Sequence, residues 1–205
     1  MSTLFNNYIQ RPDCYNEIFA TDGTIHPHWQ RFANVLQSMT AEQVQSRADL
    51  VAQQIYENGV TYNVYGDDNG LNRPWRLGVI PNIIPYDEWQ ILAEGIEQRA
   101  KVLNAILVDL YSEQRLIKEG LIPAELVFGH NNFLWPCVGV KQPHDVFLHQ
   151  YAADVARDVN GQWWVMADRT QTPSGAGYAL ENRQIIARVF PELYRQLKVQ
   201  SLNDY

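Results

Sequence analysis

The sequence predicts an α+β fold: a helical N-terminal segment, then a mainly antiparallel sheet with helices. Three observations predict it. Apolar residues recur at helical spacing before residue 59 and again between residues 89 and 110. Two apolar runs flank Asn160-Gly161, the strongest short-range signal for a β-hairpin. Behind the second run, Pro173-Ser174-Gly175 turns the chain into a further helical pattern made by Tyr178, Leu180, Ile185, Ile186 and Val189.

Residues 1–14 are polar with scattered aromatics and are expected to form a poorly ordered arm. Tyr15 to Phe19 reads as a short helix closed by Asp22-Gly23. Trp29, Phe32, Ala33 and Leu36 then mark one face of a helix. Thr40-Ala41-Glu42-Gln43 has the spacing of a capping box, which satisfies two orphan donors at a helix start. Val44, Ala48, Val51 and Ile55 continue that helix, and Asn58-Gly59 stops it.

Val60 to Tyr65 reads as a strand and Asp67 to Pro74 as a loop. The loop's carboxylates are adjacent and no Glu closes it, so it lacks the ligand spacing of a calcium loop. The apolar run Trp75 to Pro85 contains Pro81 and Pro85, which demote it to an edge strand or a strand running into a loop. Asp87 and Glu88 open the longest helix, where negative charge suits the dipole. Its stripe runs from Trp89 to Leu110, and Glu94, Glu97, Gln98, Arg99 and Lys101 lie mostly on the other side. A shorter helix is expected over Ser112 to Glu119, stopped by Gly120, and another element from Pro123 to Phe128. Phe133 to Val140 is a mixed apolar run interrupted by Pro136.

Composition narrows the function. The 205 residues allow one domain, or one with a small partner, and 46% hydrophobic against 19% charged residues is globular. A net charge of -7 argues against non-specific binding to nucleic acid or an anionic membrane, although a nucleotide needs only a local patch. Cys14 and Cys137 are too few for a disulfide framework and read as reduced thiols. No apolar run approaches the roughly 18 residues of a membrane span, and the first residues lack a signal-peptide pattern. A cytoplasmic protein is expected. The sequence holds no Walker A motif, no dinucleotide-binding Gly-rich turn and no Gly-x-Ser-x-Gly elbow.

The hairpin carries the candidate chemistry. A two-residue loop at Asn160-Gly161 pairs Val159 with Gln162, Asp154 with Ala167 and Ala152 with Arg169. Asp154, Ala167 and Arg169 then share one face, and Asp168 points to the other. Directly opposed Cβ atoms lie about 5 Å apart, so two carboxylates at such a pair could hold a hard cation. Here one of the two positions is alanine. Ser174, between Pro173 and Gly175 with Gly177 beyond, fits a backbone-amide nest for a carboxylate or phosphate, and equally fits a simple turn. His26 and His28 flank Pro27 with no third ligand nearby, which favours a solvated loop. His149 and Asp154, five apart on one strand, face opposite ways, which argues against a shared metal and a hydrolase built on it. Arg183 suits an anionic substrate group, or a surface pair with Glu181 or Glu192.

Four segments together carry a family resemblance: WWVMADRTQTPSGAGYALENR, FLHQYAADVARD, TYNVYGDDNGLNRPWRLGVIPNIIP and QRAKVLNAILVDLYSEQRLIKEGLIPAELVFGH. They span roughly Tyr15 to Leu197 and resemble the circularly permuted ATP-grasp family (type 2), in particular relatives of bacterial carboxylate–amine ligases. The resemblance implies an incomplete permuted ATP-grasp-like fold, with a helical segment over 1–59 and the α+β portion over 60–205. It implies ATP-dependent activation of a carboxylate as an acyl-phosphate, attack by an amine, and ATP and magnesium as cofactors. In such proteins an acidic residue on one strand, then Glu and Asn on the next, hold the metal, and that second strand often reads Glu-Asp-Asn. Asp154 matches the first, and Ala167, Asp168 and Arg169 occupy the other three positions. The metal candidates are therefore Asp154 and Asp168. The nucleotide or substrate candidates are Arg169, Ser174, Gly175, Asn182 and Arg183.

This chain departs from the family pattern in two ways. Ala167 removes a charged oxygen, and Arg169 puts a cation beside the metal position, either standing in for the metal or pairing structurally with Asp154. The family also continues beyond Leu197, so the chain is expected to be a truncated piece or a short relative. It would expose apolar surface and use a partner chain or self-association. The alternative function is a non-catalytic binding or assembly module that keeps the fold. Small carboxylate and amine substrates are the expected partners, and nucleic acid and membrane are not.

Overall fold

In the computed structural model, residue 5, residues 8–62 and residues 73–202 are described. The strand predicted over Val60 to Tyr65 and the loop predicted over Asp67 to Pro74 lie partly outside them, at 63–72, as do most of the first seven residues of the predicted arm. The chain divides into two units. One holds the described residues of 1–85, 158–161 and 174–205; the other holds 86–157 and 162–173.

The first unit is built on helices α1 (Gln30–Ser38), α2 (Ala41–Glu57), α6 (Ala176–Val189) and α7 (Pro191–Leu197). The predicted capping box opens α2: the Thr40 hydroxyl accepts from the Gln43 N–H, and the Gln43 side chain accepts from the Thr40 N–H at 2.8 Å. The apolar faces of the four helices meet in one core of Trp29, Phe32, Leu36, Val51, Ile55, Ile185, Val189, Phe190 and Leu193. Phe32 packs edge-on against Phe190, with ring centroids 5.4 Å apart. Pro191, fixed in φ, starts α7 directly after α6.

Beside the helices, β1 (Thr61–Tyr62) pairs antiparallel with β2 (Arg73–Pro74). The run after β2 makes no further strand. Trp75, Leu77, Val79 and Ile83 nonetheless pack against the core, and the first three alternate as a strand's side chains would. Pro81 and Pro85 lack the N–H groups a ladder needs. The predicted helix at Tyr15 to Phe19 is also absent. Asn16 captures the backbone instead, its side-chain oxygen accepting from the N–H of Ile18 and of Phe19, each at 2.9 Å. Phe19 bridges antiparallel to Ile25, and the predicted Asp22-Gly23 turn closes the loop.

In the second unit, α3 (Tyr86–Leu110) is the long predicted helix, with Asp87 and Glu88 in its first turn. The helix predicted from Ser112 shrinks to α4 (Arg115–Lys118), because the Asp109 carboxylate accepts from the Arg115 and Leu116 N–H groups and fixes the start there. Gly120, at φ 72°, ends it as predicted. α5 (Ala124–Phe128) follows, and the run after it makes only a 3-10 turn at Trp135–Cys137. Tyr111 stacks between Phe133 and Phe147. Asn104 staples the chain entering the hairpin: its oxygen accepts from the Phe147 and Leu148 N–H groups, and its amide donates to the Asp145 carbonyl. Burial in this unit is thin. Leu92 and Leu110 are buried, whereas Ile91, Val102, Leu126, Trp135 and Met166 are among its exposed large apolar residues.

The hairpin consists of β3 (Ala152–Arg157) and β4 (Trp163–Arg169), antiparallel. At its open end the predicted pairs hold: Ala152 with Arg169 and Asp154 with Ala167. Nearer the tip they do not. Val155 pairs with Val165 and Arg157 with Trp163, so Met166 is an extra, bulged residue and the loop is five residues rather than two. The Asp158 carbonyl accepts from the Gly161 N–H at 3.0 Å, and Gly161 sits at φ 82°. Within the first unit, a Cβ on Gly161 would lie 2.6 Å from the Tyr15 ring, which leaves the position to glycine. Among the described residues no helix is long and apolar enough to cross a membrane.

Candidate functional site

The alternation of β3 and β4 gives the hairpin two chemically different faces. Ala153, Val155, Arg157, Trp163 and Val165 are half-buried, and Asp154, Ala156, Trp164, Ala167 and Arg169 are exposed. The face turned away from Asp154 is tied to α3 by two ion pairs of opposite polarity, Arg157–Glu88, in which the arginine is buried, and Arg99–Asp168, which is open to solvent. Arg157, with its side chain 5% exposed, meets the Glu88 carboxylate and lies 4.0 Å from the Trp163 ring centre. Asp168 receives both Nε (2.6 Å) and Nη2 (2.8 Å) of Arg99, and the Tyr151 hydroxyl at 2.6 Å. Glu88 and Arg99 are eleven residues apart, close to three helical turns, so both reach the same side of α3.

Arg99, read from the sequence as part of a solvated helix face, is thus a partner of the hairpin. Neither it nor Tyr151 or Glu88 was predicted to take part. An Arg and an acidic residue one whole number of turns apart is the signal that could have found the helix side.

The Arg99 guanidinium, and after it the Tyr151 hydroxyl, hold the Asp168 carboxyl down at about 2. Burial, and then the bond to Asp168, push the Tyr151 phenol up. The depressed carboxyl gives a stabilisation that is complete above the ordinary carboxylate value of about 3.9 and is lost as pH falls towards about 2. An Asp168→Asn variant is therefore expected to be less stable at neutral pH and to show a shallower loss of stability between roughly pH 4 and pH 2. Acid titration of the melting temperature, wild type against variant, checks it; parallel curves would refute the assignment.

On the exposed face, Arg169 donates from Nε (3.1 Å) and Nη2 (2.6 Å) to one oxygen of Asp154. Both side chains stay open to solvent, at 61% and 48% exposure. Asp154 and Asp168, expected together as metal-holding carboxylates, point to opposite faces and are each engaged by an arginine. Magnesium requires several oxygens in near-octahedral order. Ala167, directly opposite Asp154, supplies none, and the residues present do not fit the ion. Among the described residues no group of three or more His, Cys, Asp and Glu side chains could hold a metal. His149 lies outside β3, and His26 stacks with Tyr15 and His28 rather than gathering carboxylates.

The remaining candidates belong to the first unit. Gly175, at φ 108°, is the N-cap of α6 and leaves its first turn without a side-chain cap. Gly175, Gly177, Tyr178 and Glu181 line a cleft of about 370 Å³ together with Asn58, Gly59, Val60 and Thr61. Among the described residues no cationic side chain lines it, so an anion there would depend on neutral donors, the backbone N–H groups of α6 among them. The Tyr178 hydroxyl donates to the Thr61 carbonyl at 2.7 Å. Asn182 accepts from the Trp75 indole N–H at 3.0 Å, and Arg183 donates to the Gln200 carbonyl at 2.9 Å. Arg183 therefore takes neither predicted surface partner; Glu181 accepts from Asn58, and Glu192 pairs with Arg47.

Residues 81–205 match the family described as circularly permuted ATP-grasp type 2. The chain is 34% identical over 191 residues to an uncharacterized protein of Synechocystis, a match covering 93% of this chain and 40% of that one. It is 32% identical over 191 residues to an uncharacterized protein of Mycobacterium leprae, covering 93% and 33%. With an uncharacterized protein of Mycobacterium tuberculosis it shares 33% identity over 193 residues, covering 89% and 22%. The chain thus spans 40% or less of the length of each of these relatives.

Proposed function

Since this chain belongs to the circularly permuted ATP-grasp type 2 family, we propose that it forms part of an ATP-dependent carboxylate–amine ligase and presents Asp154 and Arg169 to the reacting groups. The observation that supports this is the contrast between the hairpin's faces. The charges on one face are tied to α3, whereas Asp154 and Arg169 engage each other and remain open to solvent.

In this reading Arg169 binds an oxyanion, a phosphate of ATP or the acid's carboxylate, through the guanidinium edge that Asp154 leaves over. Asp154 orients that guanidinium. Ser174 and Gly175 open α6 with unclaimed backbone N–H groups, a second place for an anionic oxygen. Asn182 and Arg183 hold the frame of α6, and residues 1–59 serve as scaffold for the α+β portion. ATP supplies the phosphoryl group that activates the carboxylate. The substrates are a small or peptide carboxylate and an amine, and the setting is the cytoplasm.

Thermal unfolding of the 205-residue chain with ATP, added as its magnesium salt, tests the reading. Saturation at about 100 times Kd stabilises by about 2.7 kcal/mol, a rise of roughly 5–10 °C for a chain of this size. The rise should shrink markedly in Arg169→Ala. If ATP leaves the melt unmoved, this chain holds no part of the nucleotide site. The second reading, a non-catalytic assembly module, is favoured by Ala167 and by the exposed apolar residues of the second unit. It predicts an unmoved melt together with concentration-dependent self-association.

A further inference from the structure

We propose that the guanidinium of Arg169 occupies the place of a divalent cation on Asp154, so that the exposed face of the β3–β4 hairpin works without a bound metal. Three observations converge on it. Asp154 carries the only carboxylate on the exposed face of these two strands; the position directly across from it is Ala167, which offers no oxygen. Arg169, diagonal to Asp154, places two N–H donors on one of its oxygens. Asp168, the next nearest carboxylate along β4, is turned to the other face and held by Arg99 and Tyr151.

The electrostatics follow from that arrangement. A hard cation binds where several oxygens converge, and its affinity rises with ligand charge. Here a cation would meet one carboxylate already neutralised by a fixed positive charge, with that charge in the first ring of neighbours. Arg169 stays protonated at any physiological pH and cannot be displaced by proton loss. The arrangement is therefore a permanent single positive charge, anchored in direction by its bond to Asp154. Any phosphate this face holds meets that charge and no bridging metal ion.

The same geometry says how a metal site would be restored. Ala167→Glu sets a second carboxylate directly opposite Asp154, about 5 Å away between Cβ atoms, and Arg169→Ala removes the guanidinium. Both positions are exposed, so the double variant should fold, which its melting curve checks. Trp164 lies on the same face, opposite Ala156, and can sensitise terbium(III) luminescence.

Terbium(III) is titrated without nucleotide into the full chain, with manganese(II) as competitor. The wild type is expected to show no saturable luminescence that depends on Asp154. Ala167→Glu/Arg169→Ala should bind at least about tenfold more tightly, given the added ligand charge, and lose that binding again when Asp154→Asn is added. Saturable wild-type luminescence abolished by Asp154→Asn would overturn the proposal. So would a folded double variant that gains nothing. Because nucleotide is absent, this outcome is independent of whether ATP shifts the melt.

Discussion

Replacing Phe32 by alanine is expected to lower the unfolding free energy by about 3–5 kcal/mol. Phe32 is 1% exposed and sits where α1, α6 and α7 converge. Its ring is edge-on to Trp29 and to Phe190, so truncation removes two aromatic contacts as well as the buried area. Trp29 and Phe190 sit at helix ends, before α1 and between α6 and α7, so filling the gap would mean moving those ends. Native domains hold only about 5–15 kcal/mol in all, so the variant should sit near the edge of folding at 37 °C. Urea unfolding followed by circular dichroism measures it. The control is Ile91→Ala on the exposed side of α3, which should stay within roughly 0.5 kcal/mol. A loss below about 1 kcal/mol at Phe32 would mean that this ring is not at the centre of the core.

The second large effect concerns the hairpin's tie to α3. Glu88→Ala is expected to cost about 3 kcal/mol, the lower end of the range for breaking a buried ion pair. Arg157 is 5% exposed and loses its carboxylate partner, while Glu88 at 29% gives up some hydration that softens the cost. The diagnostic is the double variant Glu88→Leu/Arg157→Leu. Removing both charges takes away both halves of this pair, and a packed apolar pair there should recover most of the loss. If the double variant is no more stable than Glu88→Ala, the cost lay elsewhere, for instance in the first turn of α3, where Glu88 also suits the helix dipole.

Local signals were the legible ones. Thr40 with Gln43, Asp87 with Glu88, Gly120 and Asn160-Gly161 each act over a few residues, and the elements they mark are present. What the sequence hid was competition. Asn16 and Asp109 are polar residues whose side chains capture backbone N–H groups, so one predicted helix vanished and another was shortened. Nothing in their spacing announces that. Arg99 looked solvated because its partner, Asp168, lies sixty-nine positions away. The site was legible in part for a specific reason. Which residues of two strands share a face depends on their register, and the prediction that Asp154 and Arg169 share one survived an error in loop length because the bulge at Met166 restores the predicted pairing at the open end. The predicted diagonal contact between them is also present. That Asn182 and Arg183 serve the frame of α6 could not be read, since Trp75 and Gln200 are remote in sequence.

The bulge at Met166 has a consequence for how the gene can change. A tight hairpin has no slack: losing one codon from either strand would re-address every side chain beyond it, turning Arg169 inward and Asp168 outward. This hairpin carries one residue that pairs with nothing. Losing codon 166 would close the ladder into a regular one while leaving Asp154 across from Ala167 and Ala152 across from Arg169. Single-codon deletion is therefore a neutral step at that one place in the two strands and a disruptive one at its neighbours. Length variation among homologous hairpins should collect there.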